Sequence, residues 1–175
     1  MNRSDREAWK SARTMDDLGE LVIRWLNGEL TETPDHMGPP EAETIPLIPA
    51  LTMINRGGFI TVMSQLAKTH GEQARNTWVD GFATDAVLER MRGAVAGTPL
   101  ILGACRRRVH GHARNDHWWA RRCQWRMVTG YWAEGCPAVA DQLRGCWLVS
   151  VEDPEPGRNR LLWGALARAL SGGAP

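Results

Sequence analysis

The apolar positions of this chain fall into alternating helical and extended periods. Thr14 followed three residues later by Asp17 is a capping-box pattern, in which hydroxyl and carboxylate satisfy the first free amides of a helix. Leu18, Leu21, Val22, Trp25 and Leu26 then recur every three or four positions and Gly28 stops the run, which predicts a helix over 15–27. Pro34, Pro39 and Pro40 make the next stretch a loop, carrying Asp35 and His36. From Thr44 the period is helical again. Pro46 and Pro49 fit only a first turn, where a missing amide hydrogen costs nothing; Leu47, Ile48, Leu51 and Ile54 form the stripe, and Gly57-Gly58 end it. Phe59 to Met63 is rich in β-formers with apolar residues on both faces, which predicts a central strand covered on both sides and running out at Ser64-Gln65. Trp78 to Phe82 reads as a second strand.

Thr84 or Asp85 caps a further helix that carries Val87, Leu88, Met91 and Val95 and closes at Gly97 and Pro99. Leu100 to Cys105 is extended. Residues 106–123 show no clear period, whereas Gln124 to Tyr131 alternates on the face of Trp125, Met127, Thr129 and Tyr131 and so predicts a strand. Pro137 opens a short helix ending at Gly145, Cys146 to Val151 is a strand, and the turn at Asp153-Pro154 and Pro156-Gly157 leads into a last helix over 158–170. Two strand–helix–strand passages, with no internal repeat or linker, predict a single α/β domain over 1–175 with a mixed β-sheet covered by helices.

Composition narrows the class. A chain of 175 residues, 43% hydrophobic, buries enough surface to need neither disulfide nor metal for its core. No apolar run approaches the roughly 20 residues of a membrane span. The stretch Met1 to Lys10 is charged and lacks the apolar centre of a signal peptide, so the expected setting is the cytoplasm with no membrane partner. The four cysteines contain no C-x-x-C pair and are expected as free thiols. Nearly all the basic residues are arginine, only Lys10 and Lys68 being lysine, as G/C-rich coding produces; the nine tryptophans are different, because each large ring needs a packing or stacking partner.

One segment places small polar groups where α/β sheets bind ligands. In Asn55 to Gln65 a helix ends on two glycines, a strand follows, and Ser64 and Gln65 stand at its carboxyl end. Ser64 offers a nucleophile or donor and Gln65 a donor and an acceptor; alternation puts Thr61 on the face opposite Ser64. The bland alternative is a Ser-Gln that satisfies local backbone groups in a turn. No G-x-S-x-G elbow surrounds Ser64.

Three runs, LTMINRGGFITVMSQ, the earlier DLGELVIRWLNGEL and the late VEDPEPGRNRLLWGAL, resemble an uncharacterised family of small actinobacterial proteins with N-R-x-G-F-x-T-x-x-S-Q-like and D-P-x-x-G-R-N-x-x-L-W-like segments. The resemblance covers both ends and leaves out 106–145. It implies an actinobacterial or actinophage source and a cytoplasmic protein, and no activity. It also pairs Asn55, Thr61, Ser64 and Gln65 with Asp153, Arg158 and Asn159. If the strands before Ser64 and Asp153 are neighbours, these residues line one crevice, with Arg158 and the start of the last helix favouring a phosphate or carboxylate. The alternative is an Asp153–Arg158 pair that closes the turn and caps the helix.

Two further segments carry chemistry. Cys105, His110, His112, Asp116, His117 and Cys123 are metal-ligating or nucleophile–base types, but their spacing matches no zinc signature, and neither a metal nor a cofactor is expected. Residues 105–132 hold seven arginines and one acid among Trp118, Trp119, Trp125, Tyr131 and Trp132, so the segment is formally +6 in a chain of net +1. Guanidiniums beside stacking rings suit single-stranded nucleic acid or a nucleotide; the bland reading is a solvated basic face over buried rings.

The expectation is therefore a small cytoplasmic α/β protein that holds a small anionic or aminoacyl-like molecule in a crevice at the strand carboxyl ends, with a place in actinobacterial specialised metabolism. Ser64 and Asp153 are the catalytic candidates and Asn55, Thr61, Gln65, Arg158 and Asn159 the ligand contacts. The alternatives are a nucleic-acid-binding accessory protein using 105–132 and a partner-binding module with exposed tryptophans.

Overall fold

The computed structural model describes residues 1–68, 75–106 and 127–171. Helix α1 (Arg3–Ser11) starts on Asn2, whose side chain accepts from the Asp5 N–H, and α2 (Met15–Leu26) starts on the expected capping box. Thr14 Oγ1 accepts the Asp17 N–H at 3.1 Å and Asp17 Oδ2 accepts the Thr14 N–H at 3.0 Å. A 3₁₀ turn (Ile45–Leu47) holding Pro46 leads into α3 (Ile48–Arg56), with Pro49 in its first turn. Strands β1 (Ile60–Gln65) and β2 (Thr77–Ala83) follow, then α4 (Asp85–Val95), capped by Thr84, and β3 (Ile101–Cys105). A helix α5 over 127–135, a 3₁₀ turn (Pro137–Val139), α6 (Ala140–Gly145), β4 (Trp147–Asp153) and α7 (Arg160–Leu170) complete the order.

The α/β class expected from sequence is the one observed, but the sheet is antiparallel rather than mixed. Its order is β1-β2-β4-β3, and each neighbouring pair is antiparallel. The crossover β2–α4–β3 does join two parallel strands, as the alternation suggested. β4 lies between them and supplies the hydrogen-bonded edge to both, a split β-α-β arrangement that no local pattern signals. A second difference is residues 127–131, helical where alternation predicted a strand. Val128, Trp132 and Cys136, spaced four apart, are buried, while Met127 and Tyr131 face solvent, so the 3.6-residue period describes the packing better than the two-residue one. Residues 124–126 lie outside the described residues.

β1 is an edge strand, not a central one. Its apolar start explains the misreading: Phe59 and Ile60 are fully covered, whereas Val62 to Gln65 are half-buried. Thr61 pairs with Gly81 and Met63 with Asp80, so Val62 is an extra residue, a β-bulge. The bulge resets parity. Thr61 and Ser64 stand opposite Gly81 and Val79, which share a face of β2, so the two lie on one side where simple alternation put them on opposite sides.

One apolar cluster draws on every helix and strand layer. At its centre Trp132 meets Trp9 and Phe82 edge-on, with ring centroids 5.5 and 5.9 Å apart. Asp5 fastens α1 to the chain after α2: its carboxylate is buried and accepts the Thr31 N–H and O–H and the Glu32 N–H. Burial raises the proton affinity of that carboxylate, but the donors from Thr31, Asn2 and Glu32 outweigh it and hold the pKa below the usual range. Cys105, Cys136 and Cys146 are free thiols, and among the described residues no helix is long and apolar enough to cross a membrane.

Glycine tests the packing at two sites. At Gly81 a Cβ would run into the Ile60 carbonyl oxygen and come within 2.9 Å of the Phe59 ring, whereas at Gly93 in α4 it would meet open space. Gly93→Ala is expected to stabilise by about 0.5–1 kcal/mol and Gly81→Ala to destabilise by about 2 kcal/mol or more, read from urea denaturation. Equal effects at the two positions would contradict the packing.

Candidate functional site

The wall of the site is β1, held in place by a buried amide. Asn55, at the end of α3, is 1% exposed. Its Nδ2 donates to the Leu51 carbonyl and to Thr61 Oγ1, both at 2.8 Å, and its Oδ1 accepts the Thr61 N–H at 3.0 Å. The Gly57-Gly58 turn, with Gly58 at φ +87°, brings the strand back against the helix end that carries Asn55. Asn55 and Thr61, two expected ligand contacts, thus spend their polar groups on each other.

Beside the outer edge of β1 lies a cleft of about 230 Å³. Thr61 through Gln65 form one wall, and Val22, Trp25 and Leu26 of α2 face them. The chain between α2 and α3 supplies Thr33, His36, Glu41, Glu43 and Thr44, and Trp78 and Trp132 close the space on the sheet side. The loop is well built: the Trp25 indole N–H donates to the Gly38 carbonyl at 3.0 Å, and the Trp25 and His36 rings meet edge-on at 5.5 Å. Thr33 Oγ1 receives the His36 N–H at 3.0 Å and donates to Asp35 Oδ1 at 2.9 Å. Glu43 faces Lys68 at 3.6 Å.

Electrostatics in this region follow burial. Burial pushes the Asp35 carboxyl above its ordinary value, against the opposing pull of Thr33, the Trp132 indole and His36. The Trp132 N–H that acts on this carboxyl is itself buried and makes no shorter hydrogen bond.

Ser64 and Gln65 therefore line a cleft as expected, but Asp153, Arg158 and Asn159 do not join them. β2 separates β1 from β4, so the two strands expected as neighbours lie two sheet spacings, about 10 Å, apart, too far for Asp153 to take a proton from Ser64 directly. The Asp153 carboxylate, fully buried, is gripped by Arg158 through Nε and Nη2, each at 2.7 Å, and also accepts the Glu155 N–H at 3.0 Å. This is the turn-closing pair. The Arg158 guanidinium first, and the Glu155 amide after it, hold the Asp153 pKa below the usual range against burial. Asn159 binds the chain just past β1, with Oδ1 accepting the Ala67 N–H at 2.7 Å and Nδ2 donating to the Ala67 carbonyl at 3.3 Å. The Gln65 side chain is likewise engaged locally in part: its Nε2 donates to the Asn76 carbonyl at 3.1 Å.

The remaining candidates are placed only in part. His110, His112, Asp116, His117 and Cys123, with Trp118, Trp119 and Trp125, lie outside the described residues. Arg106 pairs with Asp85 at 2.6 Å and sits 4.5 Å above the Trp147 ring, and Trp132 is core rather than a free stacking face. Burial pushes the thiols of Cys136 and Cys146 up to about 12 and about 11, which makes both poor nucleophiles.

Sequence reasoning missed His36, Glu41, Glu43, Trp25 and Trp78 as cleft residues. The only signal for the first three was a proline-rich loop dense in acids between a helix and a strand. Trp25 was legible as the apolar end of α2, not as a wall.

The chain belongs to the family described as Domain of unknown function (DUF6919), whose model matches residues 4–115. No curated protein matches it. The matched region contains two of the three segments that carried the resemblance and ends before the third, at 151–166.

The Asp153–Arg158 pair yields a pH-dependent expectation. A carboxyl whose folded pKa is depressed adds stability above its unfolded pKa, about 3.9, and loses it as pH falls through the folded value. Arg158→Ala is expected to cost about 2 kcal/mol near pH 7 in urea denaturation, with the gap from the parent closing below about pH 4. A gap that is constant with pH would show that the pair contributes through packing alone.

Proposed function

We propose that this protein, in the cytoplasm of an actinobacterium, binds a compact amine-bearing molecule in the cleft beside β1. Of the two ligand chemistries expected from sequence, anionic and aminoacyl-like, the cleft supports the second. The observation that carries this is the lining: among the described residues it holds Glu41 and Glu43 with the rings of Trp25 and Trp78 and no lysine or arginine, Lys68 meeting Glu43 from outside it. Carboxylates and indole faces both attract a cation. Arg158, the group expected to hold an anion, is instead engaged by Asp153. The volume, about 230 Å³, is below the roughly 300–1,000 Å³ of drug-sized pockets and suits a ligand of single-residue size. Every cleft residue except Trp132 also falls in the region shared with the family.

The nucleic-acid reading of 105–132 has weaker support. Of its described members, Arg106 is committed to an ion pair and Trp132 to the core, and Tyr131 is exposed.

Thermal-shift measurements with 3-methylbutylamine and with 3-methylbutanoate test the proposal. The amine is expected to raise Tm at millimolar concentration and the carboxylate to leave it unchanged. Glu41→Gln combined with Glu43→Gln is expected to weaken the amine by about tenfold, since both charges are lost. An equal response to amine and carboxylate would remove the cationic reading, and silence from both would remove the cleft.

A further inference from the structure

The direction of the β1 backbone says more about the ligand than its charge. The Thr61 N–H reaches Asn55, outside the sheet, so this residue turns its backbone away from β2. The Gln65 carbonyl accepts the Thr77 hydroxyl at 2.8 Å, so Gln65 turns its backbone toward β2. N–H and C=O of one residue point the same way, and successive residues alternate. Ser64, immediately before Gln65, therefore presents both groups outward, into the cleft that Ser64 lines, and among the described residues neither is bonded on that side. The bulge at Val62 is what makes Thr61 and Ser64 both outward despite their spacing of three.

A backbone donor and acceptor on one residue, next to two carboxylates, define a specific pattern. We infer that the ligand is an α-amino amide that adds to β1 as a strand one residue long. This rests on the proposed amine-binding cleft and deepens it. The ligand carbonyl oxygen takes the Ser64 N–H. The α-ammonium donates to the Ser64 carbonyl, and Glu41 and Glu43 supply the compensating charge. The side chain of the ligand lies against Trp25 and Trp78. Main-chain pairing fixes the α-amino carbonyl and leaves side-chain choice to the walls, the division of labour seen wherever a peptide joins a sheet edge. A free carboxylate in place of the amide brings a negative charge toward Glu41 and Glu43 and is disfavoured. The α-amino amide unit occurs both in free amino-acid amides and at the N-terminus of a peptide.

The test is a ligand series read by isothermal titration calorimetry: 3-methylbutylamine, leucinamide, leucine and the peptide Leu-Gly-Gly. Leucinamide is expected to bind about tenfold tighter than the amine, because it adds the carbonyl, and tighter than leucine. Ser64→Pro removes the outward N–H at a position where an edge strand tolerates proline, and is expected to lower leucinamide affinity about tenfold. If that variant does not fold by circular dichroism, the ligand series alone decides. Tighter binding of Leu-Gly-Gly than of leucinamide assigns the unit to a peptide N-terminus, and the reverse order to a free amide; either supports the strand-pairing mode. Equal affinities for amine and amide overturn this inference and leave the amine-binding cleft standing, whereas failure of all four ligands to bind overturns both.

Discussion

The site depends on one buried side-chain amide. Among the described residues β1 has a neighbouring strand on only one side, so the backbone groups that turn outward need partners other than those strands. Asn55 provides for the first of them by meeting the Thr61 N–H, and its own amide hydrogens are taken by Leu51 and Thr61. A buried amide left without such partners costs about 1–3 kcal/mol, so this clasp is stable only as a complete set. It fixes where the strand begins relative to α3. The bulge that follows decides which later backbone groups face outward. The geometry at Ser64 is thus set nine residues earlier in the chain, by a helix terminus.

The tryptophans sort into two uses once the packing is known. Trp9 and Trp132 are almost wholly buried and meet at the centre of the core, whereas Trp25 and Trp78 are half-buried and stand at the cleft. Trp132 borders both, because its ring belongs to the core while its N–H acts on the Asp35 carboxyl beside the cleft loop. Trp147 takes a third part, covering Arg106 and donating to Asp85 at 2.8 Å near the start of α4. A ring-rich composition therefore reflects core volume, a cleft wall and an arginine support together, and composition alone does not separate them.

Elements whose signal is local were legible. The Thr14–Asp17 box, the first-turn prolines Pro46 and Pro49, and the Thr84 cap each name a terminus through chemistry complete within four residues. What depended on distant partners was not. The insertion of β4 between β2 and β3 is decided by strand edges far apart in sequence, and the edge position of β1 was hidden because its first residues are covered on both sides. Helix α5 was misread because its outward residues, Met127 and Tyr131, are large and apolar and mimic an alternating strand. The polar residues of the candidate site were found at Ser64 and Gln65, where small polar groups end an apolar run. The opposing wall, His36 to Glu43, looked like any solvated loop, because only the fold brings it against β1.

An open sheet edge is ordinarily a hazard, since its row of unpaired groups invites another strand. This chain limits that hazard at β1 in two ways. Val62 interrupts the row, and the loop between α2 and α3 stands opposite it at the distance of a small cleft. The row left available is therefore short, essentially the N–H and C=O of Ser64, and the space in front of it has single-residue size. That space is small for a full strand from another protein, whereas the proposed ligand needs only one donor and one acceptor. On the proposed reading the two carboxylates disfavour an acid of the same size. If the proposed ligand binds there, protection of the edge and selection of the ligand are the same structural feature, and loosening the Trp25–His36 wall would weaken both at once.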